Sequence, residues 1–231
     1  MEGKLLGRTL SQFTDSVRSK YRLEVIVSDG GSTDETMCVA QASADTVVAN
    51  EGGVRQNISI GRNAGARAAR GEILVFINAD TFIDDTDSFF AEIAEVIARE
   101  GVSAVTCNVL VHREEERKVD VLFHSLYNWY FRFLNIIGMG MGRGECQVVR
   151  RDLFFSVGGY NEKIAAGEDF DLFVRLRRRG TIVFLHSQCV RESPRRYRRY
   201  GYLAVSVMWF VNAVAVLMLG RSVTREWKPI R

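Results

Sequence analysis

Proline and histidine are scarce in this chain, two and three residues in 231. With only Pro194 and Pro229 there is no proline-rich linker to separate domains. Cys38, Cys107, Cys146 and Cys189 stand far apart with no C-x-x-C pair, which excludes a zinc knuckle and a disulfide framework and points to a reducing, cytoplasmic setting. The first twenty residues hold neither a long apolar run nor a small-residue cleavage site, so no secretory signal is read there. Disorder is excluded by a hydrophobic content of 47%, enough for one α/β domain or two small ones. The formal net charge of +3 conceals a cluster of arginines between Arg175 and Arg199, a basic patch suited to an anionic partner.

One long uncharged run is present. Leu203 to Gly220 comprises 18 residues, at the short end of the roughly 17–25 that cross a bilayer as a helix. Arg195, Arg196, Arg198 and Arg199 precede it, and Arg221, Arg225 and Lys228 follow. Trp209 and Asn212 in its middle suit a hydrocarbon core poorly, so a span, a helix lying in the membrane plane and a soluble core helix all stay open. We read 1–200 as the main domain and 201–231 as a membrane-associated helix with a basic tail.

Leu5, Leu6, Leu10, Phe13 and Val17 recur at helical spacing, and the apolar run Leu23–Val27 predicts a buried strand after them. Ser32 or Thr33 is placed to cap a following helix reaching about Ala44. Thr46–Ala49 reads as a strand, Asn63–Ala69 as a small-residue helix, Ile73–Ile77 as a strand, Phe89–Ala98 as a helix and Ser103–Val111 as a strand. The alternation predicts an α/β layered sheet. Val121–Gly142 is an aromatic-rich helical stretch that holds His124 and Arg132, suited to a membrane interface or a lipid-linked substrate, or else to covering the sheet. Gly138, Gly140, Gly142 and Gly144 follow no strand and lack a P-loop lysine, which rules out Rossmann and Walker loops and leaves a flexible loop lining a site. Gln147–Val149 reads as a strand, Arg151–Val157 as a helix, Asp171–Arg179 as a helix ended by Gly180, and Ile182–Leu185 as a strand.

Acidic groups stand at the ends of apolar runs. Val27-Ser-Asp-Gly-Gly-Ser-Thr-Asp34 and Phe76-Ile-Asn-Ala-Asp-Thr81 each place a carboxylate just beyond a strand, where α/β sheets bind ligands. Gly167-Glu-Asp-Phe-Asp171 adds a third cluster.

Taken in order, Val25–Thr36, Gly61-Arg-Asn-Ala-Gly-Ala-Arg-Ala-Ala-Arg-Gly-Glu72, Leu74–Thr81, and Val157-Gly-Gly-Tyr-Asn-Glu162 with Glu168-Asp-Phe-Asp-Leu172 resemble the family 2 glycosyltransferases over roughly residues 5–200. The resemblance implies a GT-A nucleotide-binding α/β sandwich with a central mixed sheet. It also implies transfer of a sugar from a nucleotide-activated donor with inversion at the anomeric carbon. By matching position, Asp29 meets the nucleobase, Arg62 lies near the base or phosphates, and Asp80 is the ligand of a divalent cation (Mn2+ or Mg2+). Asn78 replaces the first carboxylate of a D-x-D-like motif, and its amide can still hydrogen-bond a ribose. Asp169 matches the base that activates the acceptor hydroxyl, with Glu168 beside it, and burial would raise the pKa of one of them. Against these roles stand plain ones: a strand-end cap for Asp29, a solvated charge for Arg62, an acidic helix N-terminus for Glu168 and Asp169. The family's glutamine-and-arginine motif is absent, so Arg195, Arg196, Arg198 and Arg199 imply either loose phosphate contact or lipid headgroups.

Family members usually open with a buried strand ending in a Pro-x-Tyr-Asn-like segment, whereas this chain starts within the helix that follows, so that strand is expected to be missing. An incomplete reading frame, an upstream start and lost activity all explain this. The leading expectation is a metal-dependent inverting transferase at the cytoplasmic face of a membrane, acting on a lipid-linked or cell-envelope acceptor. The alternative is a catalytically impaired sugar-nucleotide-binding module. A nucleic-acid binder is disfavoured because no recognisable module is present and the aromatics are not interleaved with the basic run.

Overall fold

The structure is a computed structural model that describes residues 2–50, 52 and 56–224. Arg225, Lys228 and the rest of the basic tail lie outside the described residues. In chain order the elements are α1 (Glu2–Ser11), α2 (Asp15–Tyr21), β1 (Ile26–Asp29), α3 (Thr36–Ser43), β2 (Thr46–Ala49), α4 (Ile58–Ala68), β3 (Ile73–Phe76), β4 (Phe82–Ile83) and α5 (Thr86–Ile97). They continue with β5 (Val102–Val111), α6 (Lys118–Ile136), β6 (Gln147–Arg150), α7 (Arg151–Ser156), α8 (Glu168–Arg177), β7 (Thr181–Glu192), α9 (Arg195–Tyr200) and α10 (Tyr202–Leu219).

The strands form two sheets. Five run in the order β3-β6-β5-β7-β4, with β6 antiparallel to both its neighbours and β5 parallel to β7. The remaining pair, β1 and β2, is parallel and separate. The expected mixed α/β layering is present, but the sheet is interrupted between β1 and β3. These two strands nevertheless run side by side in the same direction. Ahead of their starts Arg70 N–H donates to Glu24 at 2.9 Å, and at their far ends Gly61 and Arg62 of α4 approach Ser28 in β1 and Asn78 after β3.

Apolar residues pack on both faces of the larger sheet. Phe89, Phe90, Ile93 and Ile97 of α5 bury one face with Val105, Val109 and Val148. Ala66 of α4, Phe154 of α7 and Leu172, Phe173 and Leu176 of α8 bury the other with Ala104 and Val149. Leu6, Leu10 and Ala40 form a smaller core over β1 and β2.

Local differences from the sequence reading have local causes. The single N-terminal helix is broken at Gln12, whose side chain donates to Thr81 O and accepts from Ile83 N–H, tying the break to the β3–β4 turn; Thr14 then caps α2. Neither Ser32 nor Thr33 caps α3; the cap position is Glu35, whose side chain makes no capping bond, and Asp34 Oδ1 just ahead of it accepts Thr36 N–H at 3.1 Å. Helix α8 begins at Glu168 rather than Asp171 because Gly167 takes a left-handed turn (φ 86°) immediately before it. The 138–144 loop lines the site as expected, but it is clamped rather than flexible. Asn135 brackets Met141 with two hydrogen bonds, and a Cβ on Gly142 would meet the Phe173 ring at 2.3 Å.

Candidate active site

Helix α4 positions one half of the site. Asn57 caps it by accepting Ile60 N–H at 2.8 Å, and Gly61 and Gly65 let it approach Ser28 of β1. Asn63, buried on its inner face, donates to Tyr160 O and accepts Tyr160 N–H, both at 2.9 Å. That grip holds the turn of Gly158 and Gly159 and so fixes the approach to α8. The Val157–Glu162 segment is therefore the clamp between the two halves.

Arg62 sits where they meet. Its guanidinium is buried and donates to Asn78 Oδ1 at 2.8 Å and to Gly144 O at 2.7 Å, lies 3.3 Å from Glu168 Oε1, and faces the Tyr160 ring at 5.3 Å. The reading of Arg62 as a solvated charge is thereby corrected. Arg62 takes one lone pair of the Asn78 carbonyl oxygen, and the amide N–H bonds of that side chain remain as donors for a ligand.

The turn after β3 is pinned from three sides. Thr9 Oγ1 donates to Ala79 O at 2.8 Å, Thr81 N–H to Asn78 O at 3.0 Å, and His112 Nε2 lies 3.1 Å from Asp80 O. The Asp80 carboxylate projects from this turn, and Arg195 of α9 pairs with its Oδ2 at 3.1 Å.

On the opposite wall Glu168 and Asp169 open α8. They are an acidic helix N-terminus, as the plain reading held, and they also line the same cavity of about 880 Å3 as Arg62, Asn78, Asp80 and Arg195. Burial pushes Glu168 up to about 7, helped by the adjacent Asp169 charge and opposed by Arg62. Asp169 also lies above the ordinary aspartate range through burial, although Phe170 N–H and Arg62 pull it back. Its Oδ1 accepts Phe170 N–H at 2.8 Å, leaving Oδ2 toward Gly144 and the cavity.

Asp29 is not brought into this cavity. It is buried at the end of β1, where Oδ2 accepts Gly31 and Ser32 N–H, both at 2.9 Å. The loop it shapes lines a second cavity of about 1290 Å3, and Arg62 and Asn78 face both spaces.

A further set of ionisable groups is invisible to motif reading. Arg143 is buried and bonds Glu145 (3.2 Å), Glu192 (2.5 Å) and Tyr197 (3.3 Å), with His124 Nδ1 at 3.2 Å. Burial and the nearby Glu145 push Glu192 up to about 8, and burial next to Arg143 pushes His124 down to about 3. Glu145 and Glu192 line the 880 Å3 cavity. The only sequence signal was the break of the aromatic stretch by His124.

Among the described residues no three His, Cys, Asp or Glu side chains gather as a metal-binding set. A divalent cation of the Mg2+ type is commonly held by one or two carboxylates together with substrate phosphates. Asp80 alone meets that requirement, its Oδ1 being left by Arg195, so the residues present fit a cation shared with a diphosphate.

Apolar residues form the mouth of the cavity. Leu126, Trp129 and Tyr130 of α6 and Val207 and Phe210 of α10 line it and are exposed. Helix α10 has mean hydropathy 2.1 over 18 residues, long and apolar enough to cross a membrane, with 22% of that window buried. Its inner face packs Val216 beside Phe170, and Asn212 bonds Thr224.

This arrangement agrees with the comparisons. The sequence profile of glycosyl transferase family 2 matches residues 1–155. A mannosyltransferase from Pyrobaculum calidifontis, solved with GDP-Man and Mn2+, superposes with a TM-score of 0.72 at 20% identity, covering 94% of this chain and 61% of that one. Mannosyl-3-phosphoglycerate synthase from Rubrobacter xylanophilus gives 0.57 at 21% identity over 93% and 71%. GalNAc-T7, solved with UDP, GalNAc and Mn2+, gives 0.56 at 15% over 86% and 45%. The chain thus spans about three fifths of the mannosyltransferase and less than half of GalNAc-T7. No curated protein sequence matches it. With the fold shared and more than half its length matched, the chain belongs to glycosyl transferase family 2.

Proposed function

We propose that this protein transfers a sugar, with inversion, from a nucleotide-diphosphate donor to a hydroxyl of a lipid-linked or cell-envelope acceptor at the cytoplasmic face of a membrane. The observation that carries the proposal is the single 880 Å3 cavity in which Asp80, Asn78 and Arg62 face Glu168 and Asp169. In this reading Asp29 Oδ1 accepts from the nucleobase and the Asn78 amide donates to the ribose. A divalent cation held by Asp80 would supply neutralisation of the diphosphate leaving group. Arg195, already on Asp80, contributes positive charge to the same phosphates. Asp169 Oδ2 removes the acceptor proton as the hydroxyl attacks the anomeric carbon and the glycosyl–phosphate bond breaks. Glu168 is held against the Arg62 guanidinium at 3.3 Å, whereas Asp169 turns Oδ2 toward Gly144 and the cavity, which favours Asp169 as the proton acceptor of the two.

The acceptor class rests on the apolar mouth. Exposed Leu126, Trp129, Val207 and Phe210 beside a reaction cavity suit a lipid tail, and the arginines of α9 suit anionic headgroups. Helix α10 serves as the membrane-contacting element beyond a catalytic unit of residues 1–200.

The test is donor turnover with Mn2+ or Mg2+ for wild type, Asp169→Asn and Asp80→Asn. Each variant is expected to lose about 10²–10⁴-fold in kcat. Equal diphosphate release by wild type and Asp169→Asn would remove the base assignment. The second reading, a sugar-nucleotide-binding module without turnover, is favoured by the interrupted sheet beneath the nucleotide side and would be left standing if wild type binds donor yet releases no diphosphate. For the membrane, the full chain should float with anionic liposomes and Phe210→Glu combined with Leu217→Glu should not; equal flotation refutes it.

A further inference from the structure

Two carboxylates meet one guanidinium in the wall of the 880 Å3 cavity, and neutrality needs only one of them. Arg143, itself buried, donates from Nε to Glu145 Oε2 at 3.2 Å and from Nη2 to Glu192 Oε1 at 2.5 Å. Burial raises the pKa of Glu145, but Arg143 outweighs it and holds the carboxyl below the usual glutamate range. Glu192, pushed up to about 8, keeps its proton at neutral pH. Tyr197 OH also donates to Glu192 Oε1, at 2.7 Å, so that proton belongs on Oε2. The wall therefore sets an ionised carboxylate, which accepts hydrogen bonds, beside a carboxylic acid, which can also donate one.

Arg143 is itself held in place. His124, kept neutral because burial and Arg143 push it down to about 3, accepts another of its N–H bonds at 3.2 Å. The Trp209 ring of α10 lies 5.8 Å from the guanidinium carbon. Glu145 is thus fixed from behind, while 14% of its side chain stays open and lines the cavity. The place of the pair selects the chemical group that meets it. Gly144, next to Glu145, is bound through its carbonyl to Arg62 at 2.7 Å, and a Cβ on it would lie 3.6 Å from Asp169 Oδ2. At the other end, Glu192 stands three residues before Arg195, which reaches Asp80 at 3.1 Å. The pair therefore lies between the carboxylate on the diphosphate side and the carboxylate on the acceptor side. In a direct displacement the anomeric carbon sits between leaving group and base, so the transferred sugar comes to rest against Glu145.

We propose that Glu145 reads the donor sugar, its carboxylate accepting hydrogen bonds from hydroxyls of an uncharged hexose, with Arg143 as the positioning residue behind it. This role rests on the transfer proposed above and concerns the sugar end of the same donor. Neighbouring hydroxyls match the two oxygens of a carboxylate. A sugar lacking them would leave a buried ion short of partners, a stronger ground for rejection than any difference in apolar contact. A hexuronate would bring a second negative charge against Glu145 and be repelled.

The experiment is calorimetric binding with Mg2+ of GDP-mannose, UDP-glucose, UDP-glucuronate, GDP and UDP to wild type, Glu145→Gln and Glu145→Asp. Glu145→Gln should weaken the hexose nucleotide that wild type takes by about 10–30-fold and change its nucleoside diphosphate by less than about twofold. Glu145→Asp, which keeps the charge against Arg143 but withdraws it by one methylene, should show the same selective loss at a smaller size, and serves if the Gln variant does not fold. Equal weakening of hexose nucleotide and diphosphate would make Glu145 a support of the fold or of the phosphate side and overturn the role. Unchanged affinity for both would also overturn it, leaving the transfer proposal in place. Tighter binding of UDP-glucuronate than of UDP-glucose refutes the sugar class. Wild type that takes a diphosphate but neither hexose nucleotide refutes the sugar reading, whereas wild type that binds none of the five removes the transfer proposal and this role with it.

Discussion

Replacing Glu168 by Gln tests the electrostatic reading of the site without any substrate. In the folded protein this carboxyl is buried against Asp169 and loses its proton at about 7 instead of 4.5. A raised carboxylate pKa means that the folded state holds the proton longer than the unfolded state. The associated stability is fully present below about 4.5, declines as pH rises, and is gone above about 7. Holding an ionised carboxylate there at pH 8 therefore costs about 3 kcal/mol. Gln has nearly the same shape and no charge. Urea unfolding from pH 4.5 to 8 should show the two proteins nearly equal at the acid end. Glu168→Gln should become the more stable by about 1–3 kcal/mol at pH 8, the lower figure allowing for the lost ion pair with Arg62 at 3.3 Å. Parallel stability curves, or a wild type that gains on the variant as pH rises, would refute the reasoning.

Other outcomes follow from separate contacts. Gly142→Ala, whose new Cβ would fall 2.3 Å from the Phe173 ring, should destabilise by about 1–3 kcal/mol in thermal unfolding. An unchanged Tm would show that the 138–144 loop is free to move. Asp120 is fully buried; burial raises its pKa, but Arg198 and the Arg117 N–H outweigh this and hold it below the aspartate range. Asp120→Asn should then lose about 1.5–3 kcal/mol at neutral pH, a deficit that shrinks as acid protonates the wild-type carboxylate. Arg195→Ala releases Asp80 and should tighten Mn2+ binding roughly 3–10-fold in calorimetry without nucleotide, where its phosphate role plays no part; unchanged or weaker binding would refute the competition.

The strand ends and their acids were legible because the signals are local. An apolar run followed by Asp-Gly-Gly or Asn-Ala-Asp needs only its own neighbours to define it, and both lie at strand exits. The start of α8 was misplaced by three residues, since acids at a helix N-terminus read as loop until Gly167 is seen in its left-handed turn. Glu145 and Glu192 escaped notice because their significance comes from burial around Arg143, and no spacing rule encodes that. The loop of four glycines suggested mobility, whereas Gly142 is required by an aromatic ring 31 residues further along the chain.

By itself the sequence determined the alternating layers, the family, and which side chains are candidates for nucleotide, cation and base. Hydrophobic period and turn chemistry act over a few residues, and so can be read in order. The tertiary structure alone decided which of them meet. Arg62 reaches Glu168 across 106 residues of chain and Arg195 reaches Asp80 across 115. Such meetings depend on which elements lie next to each other in space, and no local pattern carries that information.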